Sequence, residues 1–339
     1  MLMKAREGDF LENYDGAIFD VKGLIHPSDR IVAFIRYFPD DRGNRIRNGR
    51  VYSKVYAFSE RYAVLKERWP RYIVHDPVFD ETVCEVPATE VQAHYKPVDK
   101  LCLLKNCLTL DLLESKALDF ATLLKENSNI PWSAIGISGS ILVNLHRTAS
   151  DIDAIIYGSA DCRKVHAALQ DVLNDPSSLF KRYSKCDLKN LFKFRSKDTA
   201  ATFEDFVRTE SRKSLQGKFA EADYFLRFVK DWDEVEEQYC EIQYKNVGYA
   251  KIKATIADDS ESIFTPCRYL LEHVAVVSGP NLPPITEIAS FRGRFCEHAR
   301  RGEKIIAQGK VEHVTDLKRD REYFRLLIGN KPSDCMTVV

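Results

Sequence analysis

The feature that most restricts the fold of this chain is a glycine-serine pair followed, after a short spacer, by two aspartates at alternate positions. Gly139-Ser140 follows the strand-like stretch 133–137, and residues 141–150 connect it to Asp151-Ile152-Asp153. Because side chains alternate along a strand, both carboxylates are expected on one face and the isoleucine on the other. The spacer allows a short helix to about residue 146 and a return loop. The pattern therefore predicts that the glycine and the aspartates meet at one edge of a sheet.

These residue types point to phosphate and metal chemistry. Two carboxylates that project together repel each other, so ionising both is costly unless a cation lies between them. Hard oxygen ligands of this kind suit Mg²⁺. Gly139 would allow a phosphate to approach the backbone, and the Ser140 hydroxyl would donate to a phosphate oxygen at the start of the helix. The alternative is a turn at the entry to a strand, with two solvated aspartates.

The order of these residues resembles the signature of the DNA polymerase β nucleotidyltransferase superfamily, with the direct match confined to residues 136–158. The resemblance implies transfer of a nucleoside monophosphate from an NTP to an acceptor hydroxyl, with release of pyrophosphate. It also implies two Mg²⁺ ions as cofactors, with Mn²⁺ as the alternative. Through residues 18–27 and 263–269 the whole chain is similar to a group of archaeal predicted nucleotidyltransferases, which implies no particular substrate.

The superfamily uses a third carboxylate from a neighbouring strand. Asp223 opens the apolar run after the aspartate pair, so the resemblance makes it the first choice as catalytic residue and metal ligand with Asp151 and Asp153. Glu241 lies within a later predicted strand and Asp258 at the end of another, and both remain alternatives. A surface charge at the end of a strand would also explain Asp223.

Two cations precede that run and would suit a triphosphate. Arg212 and Lys213 are expected to bind the nucleotide together with Gly139 and Ser140, although ordinary surface charges would explain them equally well. The segment 136–140 is not a Walker A loop, because no Gly-Lys-Ser/Thr follows it.

Local basic segments favour a nucleic-acid partner. Residues 180–197 carry basic side chains with aromatic residues between them, and 42–50 is a polar loop rich in arginine. Basic side chains neutralise phosphates and aromatic rings stack on bases, so we expect these segments to contact an RNA or DNA acceptor. An amphipathic helix with its aromatic residues in the core and a solvated basic face would produce the same pattern in 180–197.

Composition excludes several other classes of protein. Lys+Arg and Asp+Glu both number 50, so an affinity for polyanions must come from local patches rather than from net charge. The nine cysteines are scattered without a CxxC pair, which argues against a zinc ribbon or a disulfide framework. The first residues do not resemble a signal peptide, and no apolar run is long enough to cross a bilayer. We therefore expect a cytoplasmic protein that does not contact a membrane.

The apolar periodicity predicts an α+β fold, with a mixed-sheet core of nucleotidyltransferase type between an N-terminal α+β domain and a β-rich C-terminal domain, which would be a small barrel. The expected domains are 1–97, 98–232 and 233–339. Helical spacing covers 57–68, 109–127 and 162–173. Asp15-Gly16 predicts a hairpin. The strands expected in the last part of the chain are 224–229, 239–244, 249–256, 268–277, 303–312 and 322–328, with a turn at 246–248.

Three hypotheses for function follow. The first is nucleotidyl transfer to a nucleic acid. The second is the same transfer to a small molecule or a protein, with the flanking domains forming the acceptor pocket. The third, from a different class, is a nucleic-acid-binding protein that keeps the fold without catalysis. The sequence does not choose the acceptor, the preferred NTP or the oligomeric state.

Overall fold

The computed structural model describes residues 3–196 and 201–339 and has the predicted α+β fold, with several sheets and a β-rich C-terminal part. The chain forms two compact units where three domains were expected. The first unit comprises Met1–Asp76, Thr82–Lys181 and Gln216–Glu236. The second unit comprises Pro77–Glu81, Arg182–Leu215 and Glu237–Val339. The predicted N-terminal and catalytic domains thus fall largely into one unit, and 182–215 groups with the C-terminal part.

The N-terminal part of the chain forms an eight-stranded sheet in the first unit, ordered β4-β5-β3-β2-β1-β8, with β7 pairing to β3 and β6. Its strands are β1 (Phe10–Asn13), β2 (Ile18–Val21), β3 (Arg30–Pro39), β4 (Arg45–Arg47), β5 (Arg50–Lys54), β6 (Ile73–Asp76), β7 (Glu81–Pro87) and β8 (Val91–Tyr95). The predicted hairpin at Asp15-Gly16 is confirmed, because β1 and β2 pair in antiparallel fashion around it. The segment 40–50, expected to be a loop, contains β4, which pairs with β5.

A second, five-stranded sheet of the first unit has the order β11-β12-β13-β10-β9. Its strands are β9 (Ile135–Ile137), β10 (Ile152–Tyr157), β11 (Phe180–Lys181), β12 (Gln216–Phe219) and β13 (Ala222–Val229). The helices of this unit are α1 (Phe58–Arg68), α2 (Pro97–Asn106), α3 (Leu112–Ser128), α4 (Gly139–Leu142) and α5 (Ser159–Asn174). The predicted helices are confirmed within a few residues. The start of α3 is set by Asp111, which accepts hydrogen bonds from the amides of Leu113 and Glu114.

A barrel dominates the second unit. The described parts of this unit contain α6 (Lys185–Arg195), α7 (Phe203–Glu210), β14 (Ile242–Asp258), β15 (Cys267–Ser278), β16 (Ile285–Ser290), β17 (Lys304–Asp316), β18 (Arg321–Leu327) and β19 (Cys335–Val338). Five strands close the ring β14-β15-β16-β18-β17-β14, in which β16 and β18 are parallel. Tyr269, Ile288, Leu326 and Val311 lie side by side in register and are fully buried. The small barrel expected from the sequence is therefore present.

One predicted turn is wrong. Residues 246–248 were expected to separate two strands, but β14 continues through them and pairs with β17 on both sides. The register shifts between Asn246 and Gly248, so these residues form a bulge. A bulge and a turn both need an irregular backbone and favour the same residue types, so the sequence pattern does not distinguish them. In the described parts of the chain, no helix is both long and apolar enough to span a membrane.

Candidate functional site

Asp153 projects from β10 into a cleft between the two sheets of the first unit. Ile152 is fully buried, whereas Asp153 and the two residues that follow it line the cleft, with Phe10, Tyr37 and Phe225 among its other walls. Asp151 directly precedes the strand and is two residues before Asp153, a spacing that places alternate side chains on the same face of an extended chain. The cleft encloses about 400 Å³ of empty space, part of it open to solvent.

Gly139 brings the turn after β9 against this carboxylate. Its backbone has a φ of +61°, and a Cβ placed on it would lie 1.9 Å from Asp153 Oδ2. The Ser138 amide donates to the Asp153 carbonyl at 2.8 Å, which fixes the turn against β10. Glycine is therefore required at this position, as predicted, but the group that approaches its backbone here is the carboxylate of Asp153.

Ser140 is placed differently from the prediction. The serine is 2% exposed, and its hydroxyl is buried without a hydrogen-bond partner among the described residues. The helix that it enters, α4, ends at Leu142 rather than near residue 146. Among the described residues Ser140 is not part of the lining of the cleft, and α4 is only one turn long, so a hydrogen bond from Ser140 to a phosphate stays a prediction.

The charge of Asp153 is strained by its surroundings. Burial and, second to it, the nearby charge of Asp151 raise the pKa of this carboxyl to about 7, against the opposing effect of Arg227, Lys54 and Arg36. The two aspartates are thus close enough to repel each other, as the alternation predicted. A divalent cation would relieve this repulsion.

The sequence reasoning missed Asp20, which enters the same cleft from β2 of the N-terminal sheet. It is 8% exposed and lines the cleft with Asp153. Burial opposes its ionisation, but Lys22, Arg227 and Arg36 together outweigh burial and lower the pKa of Asp20. Its Oδ2 atom lies 2.8 Å from Lys22 Nζ, whereas Oδ1 is buried and has no hydrogen-bond partner among the described residues. The only sequence signal was an aspartate inside a short apolar strand.

Arg36 and Arg227 carry positive charge into the cleft. Arg227 lies beside Ile155 in the parallel register of β10 and β13, and pairs with Glu7 at 2.7 Å. In the described part of the chain no carboxylate forms an ion pair with Arg36, whose guanidinium stacks on Tyr56 at 4.1 Å. Neighbouring acidic groups nonetheless keep the pKa of Arg36 above its ordinary value, against the effect of burial. The cleft therefore combines carboxylates with an arginine that is free of an ion pair.

Asp223 lies on the strand that was predicted for it, but not in a metal-binding cluster. The strand β13 is adjacent and parallel to β10, with Ile152 beside Tyr224, the residue that follows Asp223. The side chain is 51% exposed and pairs with Lys218 at 2.9 Å across β12. Of the alternatives, Glu241 accepts from the Gln238 amide and Asp258 from Ser260, both in the second unit. The identity of the third carboxylate stays a prediction.

The two cations expected to contact a triphosphate have carboxylate partners within the second unit. Arg212 forms a two-pronged ion pair with Glu303. Lys213 is 3% exposed and lies 2.5 Å from Glu210, whose pKa it holds, with Arg195, at about 2 against the effect of burial. Structural ion pairs account for both cations, so we do not include them in the site.

The basic segments divide into structural and exposed residues. In 42–50, Arg45 donates to the Leu145 carbonyl and Arg47 pairs with Glu12 at 2.9 Å, which occupies two of the arginines. In 180–197, Phe180 is buried in the first unit and Phe192 packs on α7. The exposed residues of α6 include lysines one turn apart, Lys185, Lys189 and Lys193. Lys197 lies outside the described residues, and contact with nucleic acid stays a prediction.

Within residues 3–196 and 201–339, no group of three or more histidine, cysteine, aspartate or glutamate side chains is arranged to hold a metal ion. Mg²⁺ often takes only one or two carboxylates and fills its remaining positions with water and substrate phosphates. A pair of repelling aspartates at a cleft is such a donor set, so Asp151 and Asp153 fit this ion.

Comparison with known proteins gives one relative over the whole chain. The chain is 32% identical over 336 residues to "Uncharacterized protein MJ1086" of Methanocaldococcus jannaschii, and the alignment covers 96% of each protein. No family model and no solved structure matches the chain.

Proposed function

The chain belongs to the family of the archaeal protein MJ1086, and we propose that it is a nucleotidyltransferase that moves a nucleoside monophosphate from an NTP to an acceptor hydroxyl. The observation that carries the proposal is the position of Asp153. It projects into a solvent-connected cleft, against Gly139, with the charge of Asp151 close by and two arginines, Arg36 and Arg227, lining the same cleft. This arrangement supports the metal-binding part of the motif's prediction, and the arginines of the cleft supply positive charge for a phosphate.

The residues of the chain would divide the work as follows. Asp151 and Asp153 would hold Mg²⁺, which when bound would lower the pKa of the acceptor hydroxyl and neutralise the triphosphate. Gly139 leaves room for the Asp153 carboxylate beside the turn. Arg227 adds positive charge two residues along the neighbouring strand, where phosphate oxygens would accumulate negative charge. Fixed charges in a partly closed cleft position the reactants without rearrangement during the reaction.

A nucleic-acid acceptor is supported by the second unit. Small five-stranded Greek-key barrels include the OB-fold, whose sheet face binds oligonucleotides and oligosaccharides. The barrel here has five strands closed in a ring, and α6 of the same unit exposes a row of lysines. A fold alone does not establish a ligand, so the acceptor remains the part of the proposal that most needs a measurement.

A small-molecule acceptor is the second candidate, and the cleft itself favours it. The N-terminal sheet lies over the face of β10 that carries Asp153, and the Ser138 hydroxyl donates to the Gly8 carbonyl at 2.7 Å across this contact. Phe10 and Tyr37 from the same sheet line the cleft. Such walls form the kind of concave pocket in which small ligands bind.

The decisive experiment is incubation of the protein with each α-labelled NTP, Mg²⁺ and a cell extract, followed by identification of the labelled product. We expect a labelled product with the wild-type chain and none with the double variant Asp151→Asn, Asp153→Asn. Product that is sensitive to nuclease indicates a nucleic-acid acceptor, and product resistant to nuclease and protease indicates a small molecule. Equal labelling by the double variant would refute the proposal. Oligonucleotide binding without any transfer would favour the non-catalytic hypothesis.

A further inference from the structure

We infer that the N-terminal sheet supplies two catalytic residues. Asp20 accepts a hydrogen bond from the acceptor hydroxyl and then its proton, and Arg36 binds the phosphoryl group under attack. The inference rests on the proposed function and goes beyond it, because it assigns the third acid to β2 rather than to Asp223 on the core sheet. It also makes the N-terminal part of the chain a component of the active site.

One carboxylate oxygen of Asp20 is buried and has no hydrogen-bond partner among the described residues. A buried polar atom without a hydrogen-bond partner costs free energy and in native proteins generally has a functional or solvent partner. Asp20 Oδ2 is bonded to Lys22, whereas Oδ1 is buried, has no partner among the described residues and belongs to a side chain that lines the cleft. An ionised carboxylate only accepts hydrogen bonds, so the missing partner is a donor. An alcohol hydroxyl supplies one.

Asp20 and Asp223 differ in their position relative to the cleft. The acceptor hydroxyl must lose its proton as it attacks, and the group that takes it has to lie in the cleft with Asp153. Asp20 meets this condition, while Asp223 is half exposed and already paired with Lys218. Both residues are single aspartates on strands of the same unit. Asp223 therefore serves as the matched control for Asp20.

Arg36 places a guanidinium group at the wall of the cleft. A guanidinium without a carboxylate partner at a cleft wall is the usual recognition group for a phosphate, to which it donates two parallel hydrogen bonds. Arg36 lines the cleft with Asp20 and Asp153, and no ion pair occupies it among the described residues. Arg227, in contrast, is held by Glu7. Arg36 is thus the better placed of the two to bind an incoming phosphate.

The acceptor hydroxyl gives its proton to Asp20 Oδ1 and its oxygen forms a bond to the α-phosphorus. The bond from the α-phosphorus to the bridging oxygen breaks, and pyrophosphate leaves with the electron pair. Asp20 then releases the proton to solvent. Arg36 neutralises the negative charge that spreads over the α-phosphoryl oxygens.

The test measures binding and transfer separately on Asp20→Asn, Asp223→Asn and Arg36→Met. The binding probe is an ATP analogue with a methylene group between the α- and β-phosphates, titrated with Mg²⁺ by calorimetry. Transfer is followed as pyrophosphate released from ATP in the presence of the cell extract. We expect Asp20→Asn to bind the analogue normally but to release pyrophosphate about 10²–10⁴-fold more slowly. Asp223→Asn should match wild type in both, and Arg36→Met should bind the analogue about tenfold more weakly.

The outcomes separate this inference from the proposed function. If wild type transfers nucleotide and depends on Asp151 and Asp153, but Asp20→Asn is as fast as wild type, the inference is wrong and the function stands. Loss of transfer in Asp223→Asn alone would likewise return the third acid to the core sheet. If wild type neither binds the analogue nor releases pyrophosphate, both fail. If Asp20→Asn loses analogue binding because it misfolds, Asp20→Glu replaces it in the test. Asp20→Glu keeps the carboxylate and is expected to regain part of the transfer rate. An Asp20→Glu protein that binds the analogue but transfers no nucleotide would overturn the inference.

Discussion

Among single residues, Asp153 has a charge that the fold accommodates poorly. In the folded chain its pKa is about 7, raised from 3.8, so the folded state prefers the protonated carboxyl. The stabilisation from that preference is fully present below pH 3.8 and is lost as the pH rises to about 7. Asp153→Asn mimics the protonated form, so without Mg²⁺ it should raise the free energy of unfolding by about 1–3 kcal/mol at pH 8 and by little at pH 4. Urea denaturation in EDTA at both pH values measures this. An equal change at both would show that the gain does not come from charge.

Gly139 offers a second test at this scale, with a control in the same chain. Gly139→Ala places a Cβ 1.9 Å from Asp153 Oδ2, whereas Gly158, also at positive φ, has nothing within 4 Å of its Cβ position. At both positions the positive φ strains an L side chain, at a cost of about 1–3 kcal/mol. Gly139→Ala should lose more stability than Gly158→Ala and should also displace the carboxylate and abolish pyrophosphate release. Equal losses in urea denaturation would mean that the turn moves aside freely.

The sequence predicted these residues unevenly, for a physical reason. The sequence alone predicted that Asp151 and Asp153 share one face at the start of a strand, with Gly139 at a turn that meets them, because alternation and backbone freedom are local properties. Of the cations around Asp20, Lys22 is two residues away, but Arg36 comes from β3 and Arg227 from β13, so no local pattern marked this aspartate as part of a site. The burial of the Ser140 hydroxyl is likewise a consequence of packing, which spacing does not report.

At the scale of elements, helices and most strands were predictable and irregular segments were not. The capping box at Asp111 fixes α3, and alternation fixes the strands of the barrel. The bulge at 246–248 has the composition of a turn, and only the pairing of β14 with β17 on both sides distinguishes the two. Charged residues near strands were similarly ambiguous, because the local sequence does not show whether a cation is paired with a carboxylate or available to a ligand.

The ion pair between α7 and Lys213 allows that ambiguity to be tested. Lys213→Met removes a cation that lies 2.5 Å from Glu210, with both side chains 3% exposed, and should lower the free energy of unfolding by about 3 kcal/mol. Analogue binding in calorimetry should not change, since the lysine already has a carboxylate partner. Arg212→Gln, in the more exposed pair with Glu303, should cost less. Weaker analogue binding by Lys213→Met in the folded protein would restore it as a nucleotide contact.

For the whole molecule, the main difference from expectation is that the N-terminal sheet and the core sheet belong to one compact unit. A shared apolar cluster joins them, with Phe10, Ile18 and Tyr37 from the first sheet and Leu142 and Leu145 from the turn after β9. The boundary predicted at residue 97 coincides with the change from the strands of the N-terminal sheet to the helices α2 and α3, and such a change does not require a change of core. An active site built from both sheets, as we propose, would need this joint packing.

Joint packing predicts joint unfolding. Leu145 is fully buried in the shared cluster, so Leu145→Ala should cost about 2–5 kcal/mol. If one core holds both sheets, the amides of Phe19 in β2 and Ile156 in β10 should lose hydrogen-exchange protection at the same denaturant concentration in the wild-type protein. In Leu145→Ala the two amides should again lose protection together, but at a lower denaturant concentration. Leu65→Ala is the control, since Leu65 is equally buried but packs within the N-terminal cluster alone. Under joint unfolding it too should lower the protection of Ile156. Exchange at Phe19 while Ile156 stays protected would instead show that the chain has an independent N-terminal domain, and that the cleft opens without unfolding the core.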